Sequence, residues 1–276
     1  MINTQSISLF SKLKNTLQKE MPETLILVVG CYNSGTTLLS SALGQHHEIS
    51  GLKTEGVSLT KEFKTPEEFG WNRLWYKCQD QLEIQKLTQV PDINQVRKDW
   101  KQYFDNNKSF ALEKSIIHSL NIDWFEHHFN HPYFIWIIRN GYAVAEGIRR
   151  RTLHKQRKSH LPGQPYPIEW CAQQWVTSNQ IITQKLKHTK NSYQLFYEDL
   201  VEEYDENIQQ LLRWLPVQSK TITKLKSFTF HQKTLPIQNM NPSSIKRLSI
   251  EDIQKVNSIA KNELKKWGYT ILTGTE

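Results

Sequence analysis

The stretch from Leu25 to Leu43 constrains the fold of this chain most, because it predicts a strand, a loop and a helix in direct succession. The apolar, largely β-branched residues before Gly30 predict a short buried strand, and apolar residues resume after Gly35 as a helix begins. A unit of this kind points backbone N–H groups and a helix N-terminus at one place. That arrangement favours binding of a phosphate or sulfate dianion.

The loop between Gly30 and Gly35 encloses four residues, as in a P-loop. The lysine that should follow the second glycine is missing, because Thr36 and Thr37 stand there. A nucleotide triphosphatase needs that lysine on its β- and γ-phosphates. The loop therefore predicts phosphate binding without ATP hydrolysis.

Length and composition predict one large folded domain over residues 1–276, with 38% hydrophobic residues. No apolar run approaches the roughly 20 residues that span a bilayer. Cys31, Cys78 and Cys171 are odd in number and far apart, which favours neither a disulfide framework nor a zinc site. We expect no metal, no membrane association and a location in the reducing cytoplasm.

The net charge of +8 is compatible with nucleic acid, with a small polyanionic cofactor, or with ordinary solubility. The basic residues are spread along the chain rather than concentrated in one arm, which argues against nucleic acid as a partner.

Strands alternate with helices along the chain, which predicts an α/β fold: a three-layer, mostly parallel open sheet with right-handed crossovers. The apolar strand at 133–138 is expected inside the sheet. The predicted elements are an amphipathic helix within residues 1–20, strands at 25–29, 110–113, 133–138 and 193–197, and helices at 121–131, 141–151, 168–188, 198–215 and 250–267.

Two stretches give weaker signals. Residues 61–107 are polar and helix-like, and the aromatic residues Trp71, Trp75, Tyr76 and Trp100 fit no evident periodic core. Residues 154–167 form a basic, proline-bearing loop. We expect residues 55–80 to wall an acceptor pocket and 154–167 to act as its lid.

Ligands of such a sheet bind beyond the carboxyl ends of its strands, where three segments resemble the sulfotransferase family. Gly30-Cys-Tyr-Asn-Ser-Gly-Thr-Thr-Leu-Leu resembles the family's 5′-phosphosulfate loop, G-x-P-[RK]-S-G-T-T-x-L. Arg139, closing an apolar strand and opening a helix, is similar to the 3′-phosphate segment. Tyr197-Glu-Asp-Leu-Val201 is similar to a downstream Y-E-D-L. The segments occur in the family's order over residues 25–201.

The resemblance implies a P-loop-like sulfotransferase topology. It also implies transfer of a sulfuryl group from 3′-phosphoadenosine 5′-phosphosulfate (PAPS) to a hydroxyl or amine of a small molecule. Small relatives occur in bacterial natural-product pathways, including those that sulfate saxitoxin-type alkaloids. The PAPS-binding residues that it implies are Asn33, Ser34, Gly35, Thr36, Thr37, Arg139, Gly147, Arg151 and Tyr197.

The chain departs from the family pattern at two of these positions. Asn33 replaces the loop Arg or Lys that stabilises the leaving phosphate, and Gly147 replaces a serine eight residues after the first 3′-phosphate arginine. Lys114, in a segment that resembles the one where relatives place a lysine facing the sulfate, is the expected substitute cation. Lys53 is a second candidate.

The resemblance implies a general base shortly after the phosphate-loop helix, where Glu55 stands. His118 is the rival base, although it is expected as a partly buried histidine on the following helix. His127, His128 and His131 lack an accompanying Cys or carboxylate pattern, so they do not indicate a metal site.

Carboxylates interleave with aromatic residues in the expected acceptor wall, which favours a cationic acceptor. The acidic residues are Glu55, Glu62, Glu67, Glu68 and Asp80. A P-loop nucleotide kinase and a non-catalytic nucleotide- or nucleic-acid-binding protein remain alternative functions. Ser243, Ser244, Lys246 and Arg247 lie where relatives return to cover the cofactor.

Overall fold

The computed structural model describes residues 20–152, 160–218 and 237–273, together with the backbone of two strands at 227–230 and 233–236. Residues 1–19 of the predicted N-terminal helix and residues 154–159 of the predicted lid lie outside this part. Residues 160–167 of the lid are described, and His160 stacks on Trp71 with ring centroids 4.1 Å apart.

A five-stranded parallel sheet forms the centre of the fold, as predicted. Its order is β2-β3-β1-β4-β5, so β1 is the middle strand and β4 has a neighbour on each side. The strands are β1 (Thr24–Gly30), β2 (Ile49–Gly51), β3 (Phe110–Glu113), β4 (Tyr133–Ile138) and β5 (Ser192–Phe196). A separate antiparallel hairpin pairs β6 (Ser227–Phe230) with β7 (Lys233–Pro236).

Helices cover both faces of the sheet, which produces the predicted three layers. Alternate residues of β1 explain this, since Leu25 and Leu27 enter one apolar core while Ile26 and Val28 enter the other. The α-helices are α1 (Thr36–Leu43), α2 (Ile93–Trp100), α3 (Ile122–His128), α4 (Gly141–Thr152), α5 (Ile168–Leu186), α6 (Tyr197–Glu202), α7 (Tyr204–Trp214), α8 (Asn241–Ile245) and α9 (Ile250–Lys266). None of the described helices is long and apolar enough to cross a bilayer.

The helix-like prediction for residues 61–107 is wrong for most of that stretch. It forms short 3₁₀ turns, and α2 is its α-helix. Trp75 and Trp100 are fully buried, because such turns can insert single aromatic side chains into the core without a 3.6-residue period. The structure differs from the prediction at two further places. The short edge strand β2 was not predicted, and the predicted helix at 198–215 is divided into α6 and α7.

Strand order places the candidate residues together. The chain leaves β1 toward β2 and β3 on one side and continues to β4 and β5 on the other. The carboxyl ends of neighbouring strands therefore diverge around the end of β1, which is where parallel α/β sheets bind ligands.

Candidate functional site

A cavity of about 560 Å³ opens at this carboxyl edge. It is lined by candidate site residues that lie up to 164 positions apart in the sequence. The predicted residues in its lining are Asn33, Gly35, Thr36, Thr37, Glu55, Lys114, Arg139, Gly147, Arg151 and Tyr197. Ser34 is buried, with 1% of its surface exposed, and is not part of the lining.

The charge of the cavity is strongly positive. Within the described part of the chain, its lining carries Glu55 and Glu67 as carboxylates. Its cations are Arg73, Lys114, Arg139, Arg150, Arg151 and Arg247. Clustered cations repel one another in a partly desolvated space, so this lining favours a ligand with several negative charges.

The phosphate loop takes a conformation that suits an anion. Asn33 and Gly35 have positive φ angles of 62° and 101°. A Cβ atom at Gly35 would lie 2.7 Å from the Tyr197 ring, so only glycine fits there. Thr36 then begins α1, whose first N–H groups have no partner within the helix and lie at the cavity.

Arg139 is held rigidly at the end of β4. Its Nε donates to Asn241 Oδ1 at 2.7 Å and its Nη1 donates to the Asn33 carbonyl at 2.7 Å. The guanidinium lies 4.2 Å from the centre of the Tyr197 ring. Only 8% of the residue is exposed, and burial lowers the pKa of the guanidinium.

The remaining nitrogen of this guanidinium indicates a ligand. Arg139 Nη2 and Asn33 Nδ2 are both buried without a hydrogen-bond partner among the described residues. Buried donors are costly when they stay unsatisfied. Since both residues line the cavity, an anion bound there would complete their hydrogen bonds.

The three consecutive arginines of α4 point to different surroundings. Arg149 pairs with Asp252 at 2.6 Å and is not part of the cavity lining. Arg150 pairs with Glu146 at 2.8 Å and reaches the cavity. Arg151 also lines it; burial lowers the pKa of Arg151 to about 10, and the positive charge of Arg73 adds to this effect.

The segment before α9, which was expected to cover the cofactor, contributes two of its four predicted residues to the cavity lining. Ser244 and Arg247 line the cavity, whereas Ser243 and Lys246 do not. Arg247 Nε donates to Glu146 at 2.8 Å, on the same carboxylate oxygen that Arg150 uses. The buried Glu146 carboxylate therefore holds two cavity cations.

The two proposed catalytic residues form an ion pair. Lys114 Nζ lies 2.8 Å from Glu55 Oε1, and both side chains line the cavity. They come from the ends of β3 and β2, two strands that pair directly. The second cation candidate, Lys53, is exposed and does not reach the cavity.

Sequence reasoning missed Tyr32 and Arg73 as members of the site. The Arg73 guanidinium lies 5.4 Å from the centre of the Tyr32 ring, directly beside the phosphate loop. Arg73 has a φ angle of 61°, an uncommon conformation for a residue with a side chain. It follows no periodic pattern, so the sequence offers no signal for it.

The predicted wall of carboxylates is only partly correct. Glu67 lines the cavity beside Glu55; burial raises the pKa of its carboxyl, while Arg73 opposes this rise. The others serve the local structure: Glu62 accepts from the Asp92 N–H, Glu68 caps the turn at Thr65, and Asp80 pairs with Lys86. Trp71 and Tyr76 are not part of the lining.

Histidines lie outside the cavity lining of the described residues. His118 is fully buried among aromatic rings, with its Nε2 3.4 Å from Glu113, and burial lowers its pKa. His46, His47 and Glu48 bring possible metal-ligand atoms within 4.8 Å of one another, but the Glu48 carboxylate already accepts the Gln218 N–H.

A sequence model of the sulfotransferase family matches residues 26–220, which cover β1 and the phosphate loop, the Arg139 segment and the Y-E-D-L segment. The chain belongs to the sulfotransferase family. The resemblance that the three motifs predicted is therefore confirmed. No related sequence was found among curated proteins.

Solved sulfotransferase structures share this fold. The sulfotransferase domain from the curacin biosynthetic pathway aligns with a TM-score of 0.55 and 19% identity, over 92% of this chain and all of that domain. Sulfotransferase STF9 from Mycobacterium avium aligns at 0.53 and 11% identity, over 96% of this chain and 81% of its own. Mouse sulfotransferase SULT7A1, solved in complex with PAP, aligns with a TM-score of 0.50 and 13% identity, over 89% of this chain and 86% of its own.

The two departures of this sulfotransferase from its family pattern contact each other. A Cβ atom at Gly147 would lie 3.1–3.2 Å from the Asn33 side chain. Asn33 therefore occupies space that a serine at position 147 would need. A comparison of the separate motifs does not reveal this contact.

This contact predicts a coupled effect on stability. In the Asn33→Ala background, Gly147→Ser should raise the free energy of unfolding by about 0.5 kcal/mol, because serine is the better helix former. With Asn33 present, the tight contact should cancel this gain. Urea denaturation of the four variants measures the coupling. Equal effects of Gly147→Ser in both backgrounds would show that the contact has no energetic consequence.

Proposed function

We propose that this sulfotransferase moves the sulfuryl group of PAPS to a hydroxyl or amine of a small-molecule acceptor. The observation that carries the proposal is the pair of anion-binding positions in one cavity. The N-terminus of α1 stands at one position and the buried Arg139, with an unpartnered nitrogen, at the other. A nucleotide with phosphates at its 5′ and 3′ ends would need such a pair.

On the nucleotide side, the residues bind and orient. Backbone N–H groups and hydroxyls of Thr36 and Thr37 would hold the 5′-phosphosulfate, with Ser34 and Gly35 shaping the loop. Arg139 and Arg151 would hold the 3′-phosphate, since a guanidinium can donate two parallel hydrogen bonds. Tyr197 keeps the Arg139 guanidinium in place and would border the adenosine.

On the acceptor side, the residues move a proton and stabilise charge. Glu55 would take the acceptor proton as the new S–O or S–N bond forms. Lys114 would stabilise the charge that appears on the leaving phosphate oxygen as the old S–O bond breaks. PAPS, when bound, supplies the activated sulfuryl group, and no metal is needed in this scheme.

We further propose that the acceptor carries a positive charge. Glu55, Glu67 and Tyr32 line the same cavity, and the two carboxylates add to the rise that burial causes in the pKa of the Tyr32 hydroxyl. A carboxylate pair next to an aromatic face suits an ammonium or guanidinium group. Alkaloids with hydroxyl groups belong to this chemical class.

A titration with three ligands tests the nucleotide proposal. Saturation with PAP at a hundredfold excess over its Kd should stabilise the protein by about 2.7 kcal/mol, seen as a rise in Tm. ATP and a single-stranded oligonucleotide should give much smaller shifts. A larger shift with ATP would favour the kinase alternative, and one with the oligonucleotide would favour a nucleic-acid-binding protein.

Replacing Lys114 tests the substitute cation. Lys114→Ala should lower kcat by roughly 10²-fold or more, because its charge acts mainly in the transition state, with little change in PAP affinity. Lys53→Ala is the matched control and should leave both values unchanged. Steady-state kinetics and calorimetry give the two values. Near-normal turnover of Lys114→Ala would exclude this role.

A further inference from the structure

A buried carboxylate links the backbone segments that carry Glu55 and Lys114. Glu113 is 1% exposed, and its Oε1 accepts the Gly56 N–H at 2.7 Å. The same side chain accepts the Ser115 N–H at 2.8 and 2.9 Å on its two oxygens. These donors belong to the residues that directly follow Glu55 and Lys114.

Two neighbouring contacts complete this link. The Ser115 hydroxyl donates to Glu113 and accepts the Val57 N–H at 3.2 Å. Trp100 Nε1 donates to the Gly56 carbonyl at 3.0 Å. Position 56 has no room for a side chain, because a Cβ atom there would lie 2.7 Å from Trp100.

The cost of burying this carboxylate argues that its position matters. No lysine or arginine among the described residues lies within 4.0 Å of Glu113. His118 Nε2 lies 3.4 Å from the carboxylate, and burial lowers the pKa of this histidine. A buried carboxyl group needs hydrogen-bond partners, and here the backbone and the Ser115 hydroxyl supply them.

We propose that Glu113 is a positioning residue that fixes the geometry of the Glu55–Lys114 pair. The inference rests on the proposed roles of that pair. It predicts that loss of Glu113 affects turnover and leaves nucleotide binding intact. Glu146 provides the matched comparison, because this equally buried carboxylate holds Arg150 and Arg247 on the nucleotide side.

Hydrogen exchange tests the positioning directly and requires no activity. In Glu113→Gln, amides of peptides covering 55–57 and 113–115 should exchange at least tenfold faster, because glutamine replaces one of the two acceptor oxygens by an NH2 group that faces backbone donors. Glu146→Gln should leave these peptides unchanged. Unchanged exchange in folded Glu113→Gln would overturn the proposal.

Kinetics test the consequence for function. With PAPS as donor and tyramine, a phenol that carries an ammonium group, as the acceptor probe, Glu113→Gln should lower kcat 10- to 100-fold, with PAP affinity within twofold of wild type. Glu146→Gln should instead weaken PAP binding about tenfold. In a Glu55→Gln background, Glu113→Gln should lower kcat by a smaller factor than in the wild type, since part of the effect of Glu113 acts through Glu55.

The outcomes separate the two proposals. A multiplicative loss in the Glu55→Gln background, or a loss of PAP affinity equal to that of Glu146→Gln, would overturn the role of Glu113. A wild-type protein that neither binds PAP nor consumes PAPS would refute the proposed function, and hydrogen exchange would still decide the positioning. If Glu113→Gln does not fold, Ser115→Ala removes the hydroxyl that donates to Glu113 and accepts the Val57 N–H, and it keeps the Ser115 N–H bonds to Glu113. This variant should lower kcat three- to tenfold, and an unchanged kcat would overturn the role of Glu113.

Discussion

Glu55→Gln should lower turnover by roughly 10²–10⁴-fold while PAP binding persists. The substitution keeps the size of the side chain but removes its basicity. Glu55 lines the cavity and contacts Lys114 at 2.8 Å, so the change acts where, in our proposal, the acceptor proton leaves. Single-turnover kinetics with labelled donor, combined with calorimetry of PAP binding, measure both effects.

Glu67→Gln is the matched control for this experiment. Its carboxylate lines the same cavity, and we assign it to acceptor binding. Glu67→Gln should therefore raise KM for a cationic acceptor more than it lowers kcat. The reverse pattern, with Glu55→Gln active and Glu67→Gln inactive, would transfer the general-base role to Glu67.

Arg139→Ala should weaken PAP binding by about 2–3 kcal/mol, a factor of roughly 30 to 150. The affinity for 5′-AMP, which lacks the 3′-phosphate, should change far less. The reason is that Arg139 Nη2 has no partner within the described protein and is available to that phosphate. Calorimetry with both nucleotides gives the comparison.

Arg149→Ala is the control for charge, because Arg149 pairs with Asp252 and is not part of the cavity lining. It should leave the affinity for both nucleotides unchanged. Equal losses for PAP and 5′-AMP in Arg139→Ala would contradict the assignment. They would indicate that the variant disturbs the loop through its bond to the Asn33 carbonyl.

The sequence predicted those parts of the site that follow regular elements. A buried strand fixes where its last residue lies, and parallel strands end at the same edge of a sheet. Lys114 and Arg139 directly follow such strands, and Gly35 follows β1 by a short loop, so their meeting in one cavity could be foreseen. The family motifs supplied roles for them.

The parts that the sequence did not predict come from irregular segments. Arg73 and Glu67 belong to a stretch of short turns, in which no period shows which side chains point inward. The contact between Asn33 and Gly147 joins positions that are far apart in the chain. Each looks like a separate departure from a motif, and only the fold shows that the two positions are in contact.

Transfer of the sulfuryl group itself is the most direct test of this account. The protein would be incubated with PAPS carrying ³⁵S and a panel of phenols, alcohols, amines and guanidinium compounds. We predict labelled organic product, one PAP released per sulfated molecule, and loss of both in Arg139→Ala at donor concentrations near the wild-type KM. A protein that binds PAP but leaves the labelled donor intact with every acceptor, water included, would contradict the assignment as an active sulfotransferase.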